Sequence, residues 1–467
     1  MRNAHTNGAL GRAWWQAFKG GGPAMTDSSA QTHVVVVGGG LAGVACARLL
    51  ADDERARVTL LDRNGNHEFQ PLLYQVATAE LSGKDMSFEL SRLFAHEPSV
   101  TVRTAEVTSA DADTTSVTLA DGDTISGDVL VLAAGAQPNF FRTPGAAEHS
   151  FPLYSLSDAI RVRDRVLEIF AEVAAHPELA DEGALTFVVV GAGPTGVETA
   201  GALAELTHNV MPHVYDDLSV ARVRVILVDL GHTVLPAFSD GAHEYATKQL
   251  RKRGVELRLG FSVTEVAPDH VKLSDGTSLP THLVVWGGGE MAAPLANQTG
   301  GLTTGHGGRV DVLPDLTVAG HPNVYALGDF ANIAPNAPGA EPLPQLGSVA
   351  QQSGDWAARN ILSDLDGTGR LDFEYHDKGI MAMIGRKAAV AEIGEHRREM
   401  HGRVAFAAWL GVHAQLLANA GAQARAFTSW AEEFYVRPHH RSAELLRSST
   451  SDSLHIDWDE PRSGEQV

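Results

Sequence analysis

The chain is poor in cysteine, in positive charge and in long apolar runs, and each shortage excludes something. Cys46 is its single cysteine, which rules out internal disulfides, a CxxC relay, Cys-ligated zinc and Cys-ligated iron–sulfur clusters. Redox chemistry would have to reside in a bound cofactor, and a chain without disulfides suits a reducing compartment. Lys and Arg number 36 against 57 Asp and Glu, a net charge of −21. A duplex needs a large basic face to neutralise its phosphates, so a nucleic-acid partner is not expected. Nowhere do about eighteen apolar residues run uninterrupted, so no membrane-spanning helix is expected. A Gly-x-Ser-x-Gly elbow is absent, and His439, His440 and His455 lack zinc spacing, so neither a hydrolase nor a metal site is expected.

What the chain does hold is glycine, 47 residues of it, in an ordinary composition that is 44% hydrophobic. Its 467 residues predict two or three domains. The first 26 residues carry Arg2, Arg12 and Lys19, no acid, and an aromatic group at Trp14, Trp15 and Phe18. They lack the apolar core of a secretory signal, and residues 1–32 read as a disordered leader.

An internal repeat organises the middle. Val34-Val35-Val36-Val37-Gly38-Gly39-Gly40-Leu41-Ala42-Gly43 is echoed by Phe187-Val188-Val189-Val190-Gly191-Ala192-Gly193-Pro194-Thr195-Gly196, 153 residues later. Asp121 to Gly135 is echoed by Asp275 to Gly289, 154 residues later. A period of that size means two related domains, because solenoid units are far shorter. Each unit reads as strand, glycine turn, helix, strand, and each second strand ends in an acid, Val58 to Asp62 and Val225 to Asp229. The fold class is therefore α/β, with two Rossmann-like dinucleotide-binding domains. The second unit is the longer between glycines and acid, and Thr207 to Val220, with Pro212, reads as a helical excursion projecting from the surface. After Gly320 a strand at Val324 to Leu327 leads into Gly328-Asp329, and a helix from Ser348 to Leu362 returns the chain to the first domain.

The glycines carry the chemistry. In Gly38-x-Gly40-x-x-Gly43 the first permits a tight turn, the second admits a pyrophosphate to the backbone, and the third lets helix and strand approach. The helix N-terminus then receives the anion. Gly191, Gly193 and Gly196 repeat the set. Asp62 and Asp229 are placed to accept hydrogen bonds from ribose hydroxyls, so two dinucleotides are implied. A carboxylate at Asp229 repels a 2′-phosphate, and Leu230-Gly231-His232 offers no Arg to neutralise one, which favours NADH over NADPH. Two such sites make sense if the first holds FAD non-covalently and permanently while the second exchanges NADH. Cys46, just after the first glycine turn, reads as a packing residue. The domain reading is then 33–150 with 320–375 for FAD, 151–319 for NADH, a C-terminal module at 376–447 and a disordered tail at 448–467. That module carries 10 basic against 7 acidic residues over His376 to Arg447, which suggests a separate partner.

Residues His33 to Arg403 resemble the type II NADH dehydrogenases, of the two-dinucleotide flavoproteins that also include disulfide reductases. The most specific stretch is His67-Glu68-Phe69-Gln70-Pro71-Leu72-Leu73-Tyr74-Gln75-Val76-Ala77-Thr78, similar to that family's segment beside the flavin ring. Gly193 to Glu198, Ala326 to Asp329 and Lys378 to Arg386 also match. The resemblance implies that Asp329 bonds the flavin ribityl chain, though a strand-end Asp also suits a helix N-cap. It adds Arg63, Gln75, Val107, Ala134 and Gly135 to the flavin set and Gly287 to the NADH set. It sets Glu198 near the flavin and Lys378 near the acceptor, for proton delivery or stabilisation of anionic species, although the helix dipole alone could account for a carboxylate at Glu198. The acceptor it implies is a membrane quinone. In Gly347-Ser348-Val349-Ala350-Gln351-Gln352-Ser353-Gly354, Ser348 stands where the family usually has glutamine, and Gln352 is expected to approach the quinone or flavin.

Membrane contact is expected through 404–441. Phe406, Trp409, Leu410, His413, Leu416 and Leu417 recur at helical spacing behind Arg397, Arg398 and Arg403, as in an interfacial helix. Phe427, Trp430, Phe434 and Tyr435, with Arg437 and Arg441, form a second candidate. A homodimer interface is the alternative use of these faces. The reading is a non-pumping NADH:quinone oxidoreductase, peripheral at the cytoplasmic face of the cell membrane. The alternatives are a soluble cytoplasmic NADH oxidase or diaphorase with another acceptor, and a flavin-based NADH sensor.

Overall fold

The computed structural model describes residues 31–215, 222–335, 341–394, 396–417, 420–436 and 442–446. The leader before residue 31, the 448–467 tail, Arg437, Arg441, His439, His440 and His455 lie outside the described residues. In chain order, the elements that position the site begin with β1 (Thr32–Val37), α1 (Leu41–Ala51), β2 (Ala56–Asp62), α2 (Leu73–Ala77), β3 (Val100–Thr104), β4 (Val129–Leu132) and β5 (Ala136–Pro138). They continue with α3 (Leu156–Ala175), β6 (Thr186–Val190), α4 (Pro194–Glu205), β7 (Arg224–Asp229), β8 (Val255–Leu259), β9 (Leu283–Trp286) and β10 (Glu290–Ala292). The rest are β11 (His321–Ala326), α5 (Gly347–Asp366), β12 (Gly379–Gly385), β13 (Ala388–Ile393), β14 (Arg398–Gly402), α6 (Arg403–Leu416) and α7 (Ala420–Ala431).

The repeat is visible in the sheets. β11-β4-β1-β2-β3 run parallel in one sheet, with a two-residue edge at Thr317–Val318, and β9-β6-β7-β8 run parallel in a second, edged by Phe151–Pro152. β1 and β6, each central, are buried along their valines, as continuous apolar runs between two helical layers must be. Parallel strands bring their C-terminal ends to one edge, so both glycine turns and both strand-end acids gather there. α5 packs on α1 where Gly354 lies flat against Ala42, since a Cβ there would sit 2.2 Å from the Ala42 carbonyl oxygen. Cys46 is fully buried on α1, and burial pushes its thiol up to about 12.

Three expectations change. The sequence pattern puts residues 292–318 in the NADH unit, yet Ala292, Leu295, Ala296, Val310, Leu316 and Val318 pack in the core of the first sheet. The antiparallel pair β5–β10 carries the chain back before residue 320. The excursion after α4 does not project at its start, because Leu206, Val210 and Met211 turn their apolar sides into the core; residues 216–221 lie outside the described residues. The third correction concerns the apolar stripe of α6. Phe406, Trp409, Leu410 and Leu417 are buried and His413 stacks on Trp409 with ring centroids 3.8 Å apart, so that stripe faces protein. Trp430 and Phe434 are buried likewise. The sheet β12-β13-β14, α6 and α7 share one core with α2, α3 and α4. Among the described residues of this module the large apolar side chains left exposed are Ile393, Val404, Val412, Leu416, Phe427, Tyr435 and Val436.

Candidate functional site

The two glycine turns have the same geometry. Gly38 and Gly191 adopt φ of +105° and +102°, and a Cβ on either would lie 2.1 or 2.3 Å from a carbonyl oxygen, that of Ala133 or of Gly287. A side chain on Gly43 or Gly196 would lie 1.9 or 1.7 Å from the Gly38 or Gly191 oxygen. A Cβ on Gly40 or Gly193, by contrast, would meet no side chain or other backbone segment within 4 Å. These two residues are the N-caps of α1 and α4, with no side-chain cap and no acid in the first turn. Each helix therefore presents unpaired N–H groups and its positive dipole end to an open cradle, which suits a pyrophosphate.

Each strand-end acid closes its loop. Asp62 accepts from the N–H of Gly39 at 2.8 Å and from those of Asn64 and Gly65 at 2.8 and 3.0 Å. Asp229 accepts from the N–H of Ala192 at 2.7 Å and of Gly231 at 2.5 Å. Both acids thus accept from the N–H of the second residue of the turn and keep lone pairs over for a ligand. Ala134 and Gly135 stand half-buried at the end of β4, Val107 is half-buried on the strand Val107–Asp111, and Arg63 is exposed beside Asp62.

Asp329 follows β11 at the same sheet edge. Its Oδ1 is buried with no hydrogen-bond partner among the described residues. Burial raises its carboxyl to about 6, with the Arg309 guanidinium pulling back down. A buried acceptor left unpaired in this way fits a hydroxyl-rich ligand chain. Arg309 itself, 5% exposed and tied to the His306 and Leu343 carbonyls, was not singled out by any motif.

The 67–78 segment ties these parts together. The His67 ring bonds the Gly39 carbonyl at 2.9 Å, Glu68 accepts from the Leu156 N–H at the start of α3, and Gln70 donates to the Tyr154 carbonyl. Tyr74 donates to the Met383 sulfur at 3.3 Å. Gln75 is fully buried, donating to the Tyr74 hydroxyl at 3.2 Å and accepting from the Trp430 indole at 2.9 Å.

Glu198 lies on the same cluster. A Cβ on Gly201 would meet the Ile384 carbonyl oxygen at 2.1 Å, so glycine there lets β12 pass close over α4. That approach brings the Met383 N–H to Glu198 Oε1 at 2.9 Å. Burial pushes Glu198 up to about 8, while the Met383 N–H and the Trp409 indole both favour the charged form. Trp409 Nε1 meets no partner at hydrogen-bond geometry among the described residues. Burial thus outweighs the Met383 N–H and favours the protonated form of Glu198. Read from the sequence, Trp409 belongs to a membrane face and Met383 only to the stretch Lys378 to Arg386, because their relation to Glu198 exists only across the domain packing.

Lys378 and Gln352 are not brought to Glu198. Lys378 is exposed at the entrance to β12 and its field acts on Asp355 of α5. Gln352 donates to the His376 carbonyl at 3.1 Å and accepts from the His376 N–H at 3.0 Å. Ser348, one turn earlier, bonds the Tyr375 hydroxyl at 2.9 Å. This face of α5 braces the strap formed by 371–378, so Gln352 is first a structural amide here.

The family pattern described as pyridine nucleotide-disulphide oxidoreductase matches residues 32–354. A type II NADH:quinone oxidoreductase of Mycobacterium tuberculosis is 35% identical over 417 residues, 86% of this chain and 88% of that protein. A second from the same organism is 34% identical over 429 residues, 88% of this chain and 89% of that one. Among solved structures, NDH2 from Plasmodium falciparum in complex with NADH shares the fold with a TM-score of 0.79 at 19% identity, over 88% of this chain and 99% of that one. The sulfide:quinone oxidoreductase of Aquifex aeolicus shares it at 0.68 and 19% identity, over 87% of this chain and 96% of that one. Twin open cradles on twin parallel sheets, and relatives matched over most of both lengths, lead to one conclusion: this chain belongs to the type II NADH:quinone oxidoreductases within the pyridine nucleotide-disulphide oxidoreductases.

Proposed function

We propose that the chain is a FAD-dependent, non-pumping NADH:quinone oxidoreductase resting on the cytoplasmic face of a membrane. The observation that carries this is the pair of cradles at Gly40 and Gly193, each kept open at an uncapped helix N-terminus. FAD at the first cradle, held non-covalently, supplies the two-electron relay between NADH and quinone. Gly38, Gly40 and Gly43 shape its pyrophosphate site, Asp62 and Arg63 border its ribose, and the unpaired Asp329 oxygen accepts from its ribityl hydroxyls. Val107, Ala134, Gly135 and Gln75 wall the remainder. Gly191, Gly193, Gly196 and Gly287 shape the NADH site, where Asp229 accepts from ribose and disfavours NADPH. Glu198 holds the proton that the reduced acceptor takes up. Lys378 and Gln352, on the strap and the helix that braces it, position the acceptor.

Anaerobic addition of NADH to the flavin-loaded protein tests the reading: the flavin bleaches, and a short-chain quinone restores its colour. Oxygen restoring it as fast as quinone would make the protein an oxidase; no acceptor restoring it would make it a sensor. The outward residues Val404, Val412, Leu416, Phe427, Tyr435 and Val436 support contact with a lipid surface. No helix among the described residues is long and apolar enough to cross a membrane. Phe427→Asp with Val404→Asp should abolish sedimentation with anionic vesicles; if it instead turns a dimer into a monomer, the face is a subunit interface.

A further inference from the structure

Under the C-terminal module lie four carboxylates, Glu80, Glu198, Glu205 and Glu433. Glu205 is compensated: its Oε1 accepts from Arg253 Nε at 2.8 Å and from the Arg386 N–H at 2.8 Å. Glu433 accepts from the Ser442 N–H at 3.1 Å. Glu80 is only 8% exposed, and its Oε2 has no hydrogen-bond partner among the described residues. Of the other buried atoms in that condition, two lie beside it, Arg386 Nε and Ser442 Oγ. All three residues line one cavity of about 10 Å³, with Thr78, Ala202 and Glu205 among its other lining residues. A polar void of that size holds one water, and an ordered water needs two to four polar partners. Left dry, the cavity would strand three buried polar groups together, which native proteins avoid.

The cavity has a place in the reaction. Glu198, Ala202 and Glu205 fall at i, i+4 and i+7 of α4, so they share one helix face. Glu198 lies at the Met383 end; Glu205 and Arg386 also line a solvent cavity of about 830 Å³ with His208, Lys252 and Lys387. The cavity at Ala202 sits between these ends. On the facing segment, Thr78 and Glu80 follow Tyr74 and Gln75, and the buried Tyr74 hydroxyl feels both Glu198 and Glu80. Ala79, at φ +59°, turns the chain so that Glu80 points inward after α2. Burial, with Glu205, Glu433 and Glu198 nearby, holds the Glu80 carboxyl well above the usual carboxylate range.

Quinone reduction by NADH takes one proton from solvent per turnover: the hydride carries two electrons and one proton, and the quinol needs two protons. A buried Glu198 that has given up its proton must be recharged. We propose that the cavity beside Glu80 holds an ordered water and is the proton feed for Glu198, running from solvent at Glu205 through that water to Glu80 and on along α4. Each O–H bond broken on this route forms one on the group ahead, each group that gave its proton takes another from the group behind, and the last proton comes from solvent water, so the route ends every turnover unchanged. The inference rests on the reading of Glu198 as the proton donor.

The test uses full-length, flavin-loaded protein as wild type, E198Q, E80Q and Ala202→Val, the last filling the cavity while leaving every carboxylate in place. Bleaching by NADH needs no solvent proton and should keep its wild-type rate in E80Q and A202V. Reoxidation by a short-chain quinone, and proton uptake followed with an indicator dye in the same shot, should both slow at least about tenfold. The infrared difference spectrum should lose one protonated-carboxyl band in E80Q. Wild-type reoxidation and uptake in E80Q or in A202V would overturn the feed. Wild-type reoxidation in E198Q would instead sink the reading of Glu198. If E80Q fails to fold, A202V and Ser442→Ala decide the matter alone.

Discussion

Glu198 and His413 are driven in opposite directions by the same burial. Glu198 rises from 4.5 to about 8, so the native state holds a proton that the unfolded chain has released. The stability this contributes is complete below about pH 4.5 and is lost as pH rises to about 8, a change on the order of a few kcal/mol. E198Q should flatten that slope in a pH series of melting temperatures and, separately, slow quinone-dependent turnover by roughly 10²-fold while NADH still bleaches the flavin. His413 falls from 6.5 to about 4 between Phe69 and Trp409. Its contribution is present above about pH 6.5 and is lost as pH falls toward 4. His413→Leu should therefore melt less steeply with acid than the wild type. The place of Glu198 on the helix of the second glycine turn was legible in the sequence, but the helix starts at Pro194 and its first turn holds no acid, so the dipole does not account for the carboxylate; its protonation was not legible, because Met383 and Trp409, which set its surroundings, come from 185 or more residues away.

At the scale of elements, the glycine turns test the cradles one at a time. Gly43→Ala would force a Cβ to within 1.9 Å of the Gly38 oxygen, and Gly196→Ala to within 1.7 Å of the Gly191 oxygen. Relief requires strand and helix to separate, at a cost of about 1–3 kcal/mol. Gly43→Ala should be purified with little flavin. Gly196→Ala should keep its colour but need at least about tenfold more NADH to bleach. Helix α6 shows the opposite case, where local pattern misleads. A 3.6-residue period marks an apolar face without naming what covers it, since protein and lipid reward the same spacing. Phe406, Trp409 and Leu410 satisfied the pattern expected of a membrane face and pack instead on β13 and α7. The signal of the outward face was weaker, being scattered residues such as Val404, Leu416 and Phe427 with no single period.

For the whole molecule, the consequence is that the C-terminal module is not a detachable anchor. Its buried side chains lie in one core with Leu203 and Leu206 of the second unit and Leu73 and Val76 of the flavin-side segment. A chain ending at residue 375 should be insoluble or molten, with exposed-hydrophobe dye binding and loss of near-UV circular dichroism, rather than a soluble enzyme without membrane affinity. The amino-acid order alone determined the repeated βαβ units, the glycine cradles with Asp62 and Asp229, and the strand running into Asp329. All of these depend on backbone geometry within about thirty residues, where spacing and residue type dictate the answer. The tertiary structure alone decided which side of α6 is buried, that residues 292–318 join the first core, that Gln352 braces the strap, and that Glu80, Arg386 and Ser442 surround one void. Those outcomes are set by tertiary contacts, from the 24 positions between Gln352 and His376 to the several hundred between Glu80 and Arg386 or Ser442, and no local periodicity encodes the partner across a packed interface.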